Sequence, residues 1–308
     1  MPSTVTVPRE ALLSQAALLS WGAGRRADLP WRGTRDPWAV LVSEVMLQQT
    51  QVERVRSRWV SFLERFPTVA ACAAAPLADV LEEWSGLGYP RRARDLHRTA
   101  SIVVSEHHGR FPDRLDDLLA LPGIGPYTAR AVLAFAYERD VGIVDTNVGR
   151  ILARRAGRRL GAGEAQDTAD RWVPGGHGWA WNQAMLDLGA LVCRPKAPDC
   201  RACPVSTACE WHRGGNADPD PAVGSARVST RQAPFPGSAR QARGAILRAL
   251  GAGSLSVDDV ASVVGWAERP GSDVADLVGS LVDDGLVVVG PGRRLSLPGR
   301  GYPYVDAT

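Results

Sequence analysis

The amino-acid sequence predicts an all-α protein that ends in a small winged-helix-like module. Apolar residues recur at the three- and four-residue spacing of amphipathic helices through the first two-thirds of the chain, where strand-like alternation is scarce. The chain has 308 residues, of which 45% are hydrophobic and 22% are charged, so it can bury a sizeable core. This length predicts about two domains.

The helical pattern divides the first two-thirds of the chain into separate helices. Glycine and proline mark the joins between them, as at Phe66-Pro67 and Pro122-Gly123. The predicted helices lie at Ala11–Trp21, Trp38–Leu47, Val55–Phe66, Asp113–Leu121, Thr128–Tyr137 and Val148–Arg154.

The stretch 214–237 differs in composition from the rest of the chain and predicts a linker. It is rich in Gly, Pro, Ser and Ala and has no hydrophobic period, so we place a domain at 1–213 and a module at 238–303. A DNA-binding role and a purely structural role are both open for this module. Its predicted elements are helices at Ser238–Leu250 and Asp273–Asp283, a helix that Ser256 opens with Asp259 in a capping box, and a hairpin joining Leu286–Val289 to Arg294–Leu297.

Charge and hydropathy restrict the class of protein only loosely. The net charge of +3 neither requires nor excludes a nucleic-acid partner. No apolar run reaches the roughly 18 residues that a membrane span needs. The N-terminus lacks the basic and apolar regions of a secretion signal. We therefore expect a cytoplasmic protein without a membrane partner.

Four of the five cysteines are clustered at 193–209 and predict a metal site. Their spacing is Cys193-x6-Cys200-x2-Cys203-x5-Cys209, which suits a metal better than a disulfide framework in a chain without a secretion signal. Four thiolates can hold either a [4Fe-4S] cluster or a zinc ion, and both remain open on the donor set alone. Cys72 lies in an Ala-rich stretch and is interpreted as a buried apolar side chain.

The run Leu121–Ala129 has the pattern of a helix-hairpin-helix. Gly123 and Gly125 allow a tight turn, and Pro126 suits the first position of the following helix. Such a turn directs backbone N–H groups outward, where they can bind a DNA phosphate.

Two carboxyl groups are candidates for catalysis, because their sequence contexts suit charge stabilisation or proton donation. Asp145 precedes a helical pattern, so it is either a helix N-cap or a carboxylate placed against an electron-poor sugar, and both roles are compatible. Glu44 has Val40, Leu41 and Leu47 at helical spacing and lies at the rim of the core or in a pocket. In a pocket, desolvation would raise its pKa and fit it to donate a proton near neutral pH.

These motifs converge on one family, because the chain resembles the A/G-specific adenine DNA glycosylases of the helix-hairpin-helix superfamily that includes endonuclease III. The resemblance covers roughly residues 9–213 and includes the cysteine spacing, which favours the [4Fe-4S] cluster over zinc. Its most specific run is Glu44–Gln51. The other matching stretches, in the family's order, are Leu29–Arg32, Gly86–Tyr89, Leu121–Ala129, Val144–Val148 and Gln183–Ala190.

The resemblance implies a catalytic set. Glu44 would protonate the adenine ring and Asp145 would stabilise the oxocarbenium-like sugar, while Asn147 would orient the pair and Tyr127 would lie beside it. An acid for the leaving base and a negative charge for the sugar are what N-glycosidic cleavage requires. Bifunctional relatives carry a lysine where this chain has Tyr127, and the only lysine is Lys196 in the cysteine loop, so we expect a monofunctional enzyme.

The resemblance also implies how DNA is held. The expected partner is double-stranded DNA with a mispaired base, bound by a monomer that flips the adenine out of the stack. Gly123 and Gly125 would contact phosphate. The Gln48-Gln49 pair and Tyr89 would wedge into the duplex, and the wall of the adenine pocket would comprise Leu29, Trp31, Arg32 and Gln183.

The sequence departs from the family in two places. After residue 214 the usual domain for recognising 8-oxoguanine is absent and the winged-helix-like module stands in its place, so guanine and 8-oxoguanine both remain candidates for the opposite base. Pro90 stands where many members have tyrosine. Two alternatives stay open: a thymine or uracil mismatch glycosylase, and a non-catalytic iron–sulfur DNA-binding protein.

Overall fold

The computed structural model describes residues 9–25, 27–226, 228 and 234–300, and it is predominantly helical as predicted. Its helices, in chain order, are α1 (Arg9–Gly22), α2 (Pro37–Leu47), α3 (Val52–Arg65), α4 (Val69–Ala74), α5 (Leu77–Glu83), α6 (Arg91–Ser105), α7 (Leu115–Leu119), α8 (Pro126–Phe135), α9 (Thr146–Ala156), α10 (Ala162–Trp172), α11 (Gly178–Leu191), α12 (Glu210–Arg213), α13 (Ala239–Ala252), α14 (Val260–Val263) and α15 (Gly271–Asp283).

The chain forms two compact units, and it passes between them more than once. The first, called the cysteine unit, comprises the chain up to Val40 together with Asp113–Leu115 and Gly125–Arg231. The second, called the winged unit, comprises Leu41–Pro112, Asp116–Ile124 and the chain from Gln232 onward. The change of unit after Arg231 falls inside the predicted linker, and the C-terminal module belongs to the same unit as α3–α6.

The core of the cysteine unit is built by α1 and α8–α11. Trp172 and Trp181 pack edge to face in it, with ring centroids 5.0 Å apart. Helices α1 and α11 approach each other closely at Gly22, where a Cβ atom would lie 2.5 Å from the Cβ of Ala184. Helix α11 is buried around most of its circumference, so it lacks the amphipathic period that the sequence-based prediction relied on.

The helical part of the winged unit packs around aromatic side chains. Phe62 of α3 is fully buried and lies between Phe66, at 5.0 Å, and Trp84, at 6.1 Å between ring centroids. Such large rings bury much apolar area and contribute strongly to the stability of this core. These packed helices form the support for the loop at 85–90 that follows α5.

The C-terminal module has the predicted helices and hairpin, together with a strand that the sequence pattern did not predict. The sheet is antiparallel with the order β1 (Leu255–Ser256), β3 (Arg294–Ser296), β2 (Val288–Gly290). Ser238 caps α13 through the backbone N–H of Gln241, as the prediction of a helix at Ser238–Leu250 implies.

Ser256 is an N-cap as predicted, but the helix that it opens is interrupted. Its side chain accepts a hydrogen bond from the N–H of Asp258 and caps the 3-10 turn Val257–Asp259. The α-helix that follows is the short α14, and Asp259 makes no side-chain cap for it.

The module is anchored to the rest of the winged unit near α5. The backbone N–H of Ala78 donates to the carbonyl of Pro298 at 3.2 Å, and Arg300 pairs with Glu82 at 2.5 Å. Within the part of the chain that the structure describes, no helix is long and apolar enough to cross a membrane.

Candidate functional site

The N-terminus of α9 presents the carboxylate that the sequence singled out. Asp145 is the N-cap, and its Oδ1 accepts a hydrogen bond from the backbone N–H of Val148 at 2.7 Å. Its Oδ2 accepts a second one from Nδ2 of Asn147 at 3.0 Å. Burial raises the pKa of Asp145, while the hydrogen bonds from Val148 and Asn147 oppose that rise. Both predicted roles of this aspartate, cap and poised carboxylate, are compatible with this geometry.

A buried arginine connects this carboxylate to the cysteine loop. Nη2 of Arg150 donates to Oδ1 of Asn147 and to the carbonyl of Gly189, both at 2.8 Å. Nε of the same guanidinium donates to the carbonyl of Cys193 at 2.7 Å. A Cβ at Gly189 would lie 2.5 Å from the Cβ of Asn147, so the two backbones also touch. The start of α9, the end of α11 and the cysteine loop therefore share one rigid arrangement.

The four clustered cysteines line a single pocket. Cys193, Cys200, Cys203 and Cys209 surround it with Leu188, Val192 and Trp211. Among the residues that the structure describes, no group of three or more His, Cys, Asp or Glu side chains is arranged to hold one metal ion. The four thiols nevertheless line one common space.

Burial disfavours ionisation of these thiols. It raises the pKa of Cys203 to about 11, and it also raises the pKa values of Cys200 and Cys209. Positive charge stands nearby, because Nη1 of Arg154 donates to the Sγ of Cys193 at 3.4 Å. Thiolates here require a cationic partner inside the pocket, so the donor set fits a metal centre.

Asp220 anchors part of the predicted linker to this pocket. Its carboxylate pairs with Nη2 of Arg154 at 2.6 Å, and the guanidinium of Arg154 lies 4.7 Å from the ring centroid of Trp211. The segment continues over the surface of the cysteine unit, where the N–H of Ala226 donates to the carbonyl of Leu160 at 3.0 Å. Residues 217–226 are therefore an integral part of the cysteine unit rather than a loose tether.

The predicted pocket wall forms one cluster in the cysteine unit. Trp31 is buried within the 3-10 turn Pro30–Gly33, and Leu29 is buried directly before it. Arg32 of the same turn makes a buried bidentate pair with Asp187 of α11, at 2.8 and 2.7 Å. Gln183, which is half-buried, lies one helical turn before Asp187 and hence on the same side of α11. Arg32 fixes the turn to α11, a positioning role that the sequence pattern did not distinguish.

The helix-hairpin-helix turn is present, and its two glycines are required to different degrees. Gly123 has φ of +72°, and a Cβ there would lie 2.8 Å from the Cβ of Asp95, so only glycine fits. Gly125 has φ of −91°, and a Cβ there would meet no atom within 4 Å, so the backbone at this position does not itself require glycine. Pro126 begins α8 as predicted, and Tyr127 is half-buried in its first turn.

Glu44 lies in the most deeply buried helix of the predicted site. Only 5% of its surface is exposed, and Leu41, Val42 and Met46 of α2 are fully buried. A carboxyl group in such surroundings is strongly desolvated, which disfavours its charged form relative to water. The prediction that Glu44 lies at the core rim or in a pocket therefore agrees with its burial.

Two loops of the winged unit hold strained residues at the predicted DNA wedge. Gln49 has φ of +55° and Tyr89 has φ of +48°, a left-handed conformation that is uncommon outside glycine. Such strain persists only where the surroundings enforce it, and it is concentrated at functional sites. Gln48 precedes the first strained residue and Pro90 follows the second as the N-cap of α6.

Arg92 binds both of these loops and was not predicted from the sequence. Its Nη1 donates to the carbonyls of Val45 and Gln48, at 2.7 and 2.5 Å. Its Nη2 donates to the carbonyls of Leu87 and Gly88, both at 3.0 Å. Burial lowers the pKa of Arg92 to about 10. One guanidinium therefore holds the end of α2 and the loop before Tyr89 in a fixed relation.

The structure assembles the predicted residues within each unit. Sequence reasoning did not predict five residues whose ion pairs and hydrogen bonds hold these site residues in place. In an arginine-rich sequence, a buried arginine or its acidic partner cannot be told from a surface charge. The one available signal was proximity in sequence, since Arg150 and Arg92 each stand three residues after a predicted site residue. The missed residues are Arg92, Arg150, Arg154, Asp187 and Asp220. The cysteine unit holds Asp145, Asn147, Tyr127, Gly125, Leu29, Trp31, Arg32, Gln183 and the four cysteines; the winged unit holds Glu44, Gln48, Gln49, Tyr89 and Gly123.

Comparison with known proteins identifies relatives of this architecture. Residues 42–172 match the HhH-GPD superfamily of base excision DNA repair proteins. The chain is 39% identical to the adenine DNA glycosylase of Mycobacterium tuberculosis strain H37Rv over 310 aligned residues, which cover 97% of each chain. This match is long enough to extend into the C-terminal module.

Solved structures share the fold of about two-thirds of the chain. A thermostable thymine-DNA glycosylase superposes with a TM-score of 0.61 and 26% identity, covering 67% of this chain and 97% of that one. Endonuclease III in a trapped covalent complex with DNA superposes with a TM-score of 0.59 and 21% identity, covering 69% of this chain and 100% of that one. The predicted all-α helix-hairpin-helix fold is confirmed.

Replacing Arg150 with methionine tests the shared arrangement of α9, α11 and the cysteine loop. The substitution leaves three buried acceptors without a donor, and we expect the free energy of unfolding to fall by about 3–5 kcal/mol. Urea denaturation followed by circular dichroism measures this change. Arg158→Met is the control, because Arg158 is an exposed arginine near the end of the same helix. Equal stability of the two variants would contradict the assigned role of Arg150.

Proposed function

The chain belongs to the adenine DNA glycosylase family within the HhH-GPD superfamily, and from that membership we propose that it hydrolyses the N-glycosidic bond of mispaired adenine in double-stranded DNA. The observation that carries the proposal is 39% identity to an adenine DNA glycosylase over 97% of both chains. The chemistry of the site supports it, since the residues of the family's catalytic set are all present.

Two carboxyl groups divide the work of bond cleavage. Glu44, buried in α2, donates a proton to the adenine ring and makes the base a better leaving group. Asp145, held by Val148 and Asn147, supplies negative charge to the sugar as positive charge develops on it. The fixed orientation of Asp145 means that little reorganisation is needed when that charge appears. Tyr127, in the first turn of α8, is proposed to lie beside this pair.

Adenine must leave the base stack before either group can reach it. The cluster of Leu29, Trp31 and Gln183 supplies an apolar wall with one amide for the flipped base, and Arg32 holds that wall to α11. Gln48, Gln49 and Tyr89 occupy the space that the base vacates. The open N-terminus of α8 at Gly125, with the turn at Gly123, offers backbone N–H groups to a phosphate.

The enzyme is proposed to be a monofunctional monomer acting on duplex DNA. A lysine nucleophile would attack the sugar and lead to strand cleavage, but the position is occupied by Tyr127, and Lys196 lies in the cysteine loop. One glycosylase fold engages one mispair. The opposite base is proposed to be guanine or 8-oxoguanine.

We also propose that the cysteine pocket holds a [4Fe-4S] cluster. The four thiols line one pocket, and their spacing resembles that of the endonuclease III class, which favours the cluster over zinc. When bound, the cluster supplies positive charge that keeps the thiolates ionised and ties Cys193 to Cys209. Through the carbonyl of Cys193, Arg150 then shares a rigid support with Asp145.

Single-turnover base release tests the activity on duplexes with adenine opposite 8-oxoguanine, adenine opposite guanine, thymine opposite guanine and uracil opposite guanine. We expect adenine release and a loss of about 100-fold or more in Glu44→Gln and Asp145→Asn, because each removes a group that acts in the transition state. Alkali reveals the abasic sites.

The same experiment separates the alternatives. Release of pyrimidines without adenine would reassign the chain to the thymine and uracil mismatch enzymes. Efficient borohydride trapping of the wild type on DNA, through a group other than the N-terminal amine, would overturn the monofunctional assignment. DNA binding with no base release would instead favour a non-catalytic protein.

The pH dependence of the rate reports on Asp145. Asp145 must be ionised to act, and burial raises its pKa. As the pH is lowered, the rate should therefore begin to fall at a higher pH than it would with an ordinary aspartate. Asn147→Ala removes a donor that favours the ionised form, so its acid limb should move to still higher pH. A uniform loss of rate at every pH, with no change in the shape of the profile, would contradict this role.

Metal analysis tests the cluster. We expect about four iron and four sulfide ions per chain in the wild type. Cys203→Ser should lose them because it removes one ligand. Cys72→Ala should keep them, since Cys72 is buried in the winged unit and burial raises its pKa to about 12. Zinc in place of iron would overturn the assignment.

A further inference from the structure

The C-terminal module has a winged-helix topology but lacks the charge of a DNA reader. In helix-turn-helix proteins the recognition helix enters the major groove, where phosphates line its path. The corresponding third helix here is α15, and its only ionisable side chains are Asp273, Asp276 and Asp283. An acidic helix is repelled by the DNA backbone, so the charge of α15 does not suit insertion into the groove.

The module instead binds the start of α6, directly after the strained Tyr89. Asp284, at the end of α15, accepts a hydrogen bond from Arg94 through its carbonyl and pairs with Arg91 at 3.5 Å. Arg243 of α13 pairs with the same carboxylate. Asp284 thus connects two helices of the module to the first turns of α6.

A second arginine of α13 reaches the wedge loop itself. Nη1 of Arg240 donates to the phenolic oxygen of Tyr89 at 2.9 Å, and its guanidinium carbon lies 6.0 Å from the ring centroid. The guanidinium of Arg92 lies 5.4 Å from the same ring. Arg240 is half-buried, and so is Tyr89. The ring is therefore held by one arginine from α6 and one from the module.

We propose that Arg240 of the C-terminal module positions Tyr89 for insertion at the mispair, so that the module serves recognition of mispaired DNA by bracing the wedge loop rather than by reading DNA. This inference rests on the proposed function, because it assigns Tyr89 to the wedge. Arg240 is a positioning residue and acts through the tyrosine hydroxyl.

The strained backbone of Tyr89 gives a physical reason for the contact with Arg240. A non-glycine residue with φ of +48° keeps this backbone conformation only where its surroundings enforce it. Arg92 and Trp84 fix the carbonyl of the preceding Gly88, at 3.0 and 3.1 Å, but they leave the phenol end to another partner. A hydrogen bond at the hydroxyl restricts the ring's remaining rotation. Pre-organisation of this kind lowers the entropy lost on insertion.

The test is a double-mutant cycle in the full chain with Arg240→Ala and Tyr89→Phe. We expect Arg240→Ala to lower the single-turnover rate of adenine release by about tenfold or more, the effect of losing one hydrogen bond to a charged donor. Its affinity for a mispaired duplex should fall relative to its affinity for a fully paired duplex. Tyr89→Phe should have a similar effect, and the double variant should lose no more than either single one.

Arg248→Ala is the matched control, because it removes the same charge from an exposed position on the same helix. It should leave the rate and the ratio of affinities unchanged. Active-site titration corrects for any unfolded fraction, and thermal unfolding measures whether the module remains docked. A stability defect alone would lower the active fraction without changing the affinity ratio.

The outcomes distinguish this inference from the proposed function. Additive losses in the double variant, or equal behaviour of Arg240→Ala and Arg248→Ala, would overturn the brace while leaving adenine release intact. A wild type that releases no adenine from any duplex would overturn the proposed function, and the brace with it.

Discussion

The buried guanidinium of Arg150 holds together the start of α9, the end of α11 and the cysteine loop, and the arrangement around Asp145 depends on it. It donates to the side chain that orients Asp145, to the end of α11 and to the first residue of the cysteine loop. A guanidinium offers five N–H donors in a fixed plane, so one side chain can satisfy acceptors from three segments that are distant in sequence. The geometry of the carboxylate and that of the cysteine pocket are consequently not independent. Arg150 connects the carbonyl of Cys193 to Oδ1 of Asn147, so a shift of the cysteine loop would also affect the position of the Asn147 side chain.

The same device recurs through the molecule, and it explains why an arginine-rich chain can support this fold. Arg92 ties two strained loops together, Arg32 ties a turn to α11 through Asp187, and Arg154 ties the segment at Asp220 to the cysteines. Each guanidinium is desolvated, and its hydrogen bonds offset part of that cost, while Nε of Arg32 and of Arg92 is buried without a hydrogen-bond partner among the described residues. Lysine, with a compact and strongly hydrated ammonium group, could not bridge acceptors in the same way. Basic residues that composition alone assigns to the surface therefore form part of the internal support.

The C-terminal module shows that topology and chemistry can point in different directions. Its three helices and three strands have the order of a winged helix, yet the only ionisable side chains of its third helix are acidic, and Arg240 of its first helix donates to the hydroxyl of Tyr89. Docking of a small domain against a loop can do the work of a direct DNA contact by reducing that loop's freedom.

The sequence by itself determined the features that local chemistry encodes. Amphipathic periods located α1–α3 and α7–α9, Asp145 was identified as a cap and Pro126 as a helix start, because each depends on residues close together in the chain. Helix α11 escaped the periodicity because it is buried almost all round. Only the tertiary structure decided which arginines are internal, which acceptors they reach and what the module touches. Arg94 and Asp284 are 190 residues apart in the chain, and Ala78 and Pro298 are farther apart still, so no local pattern records these pairings.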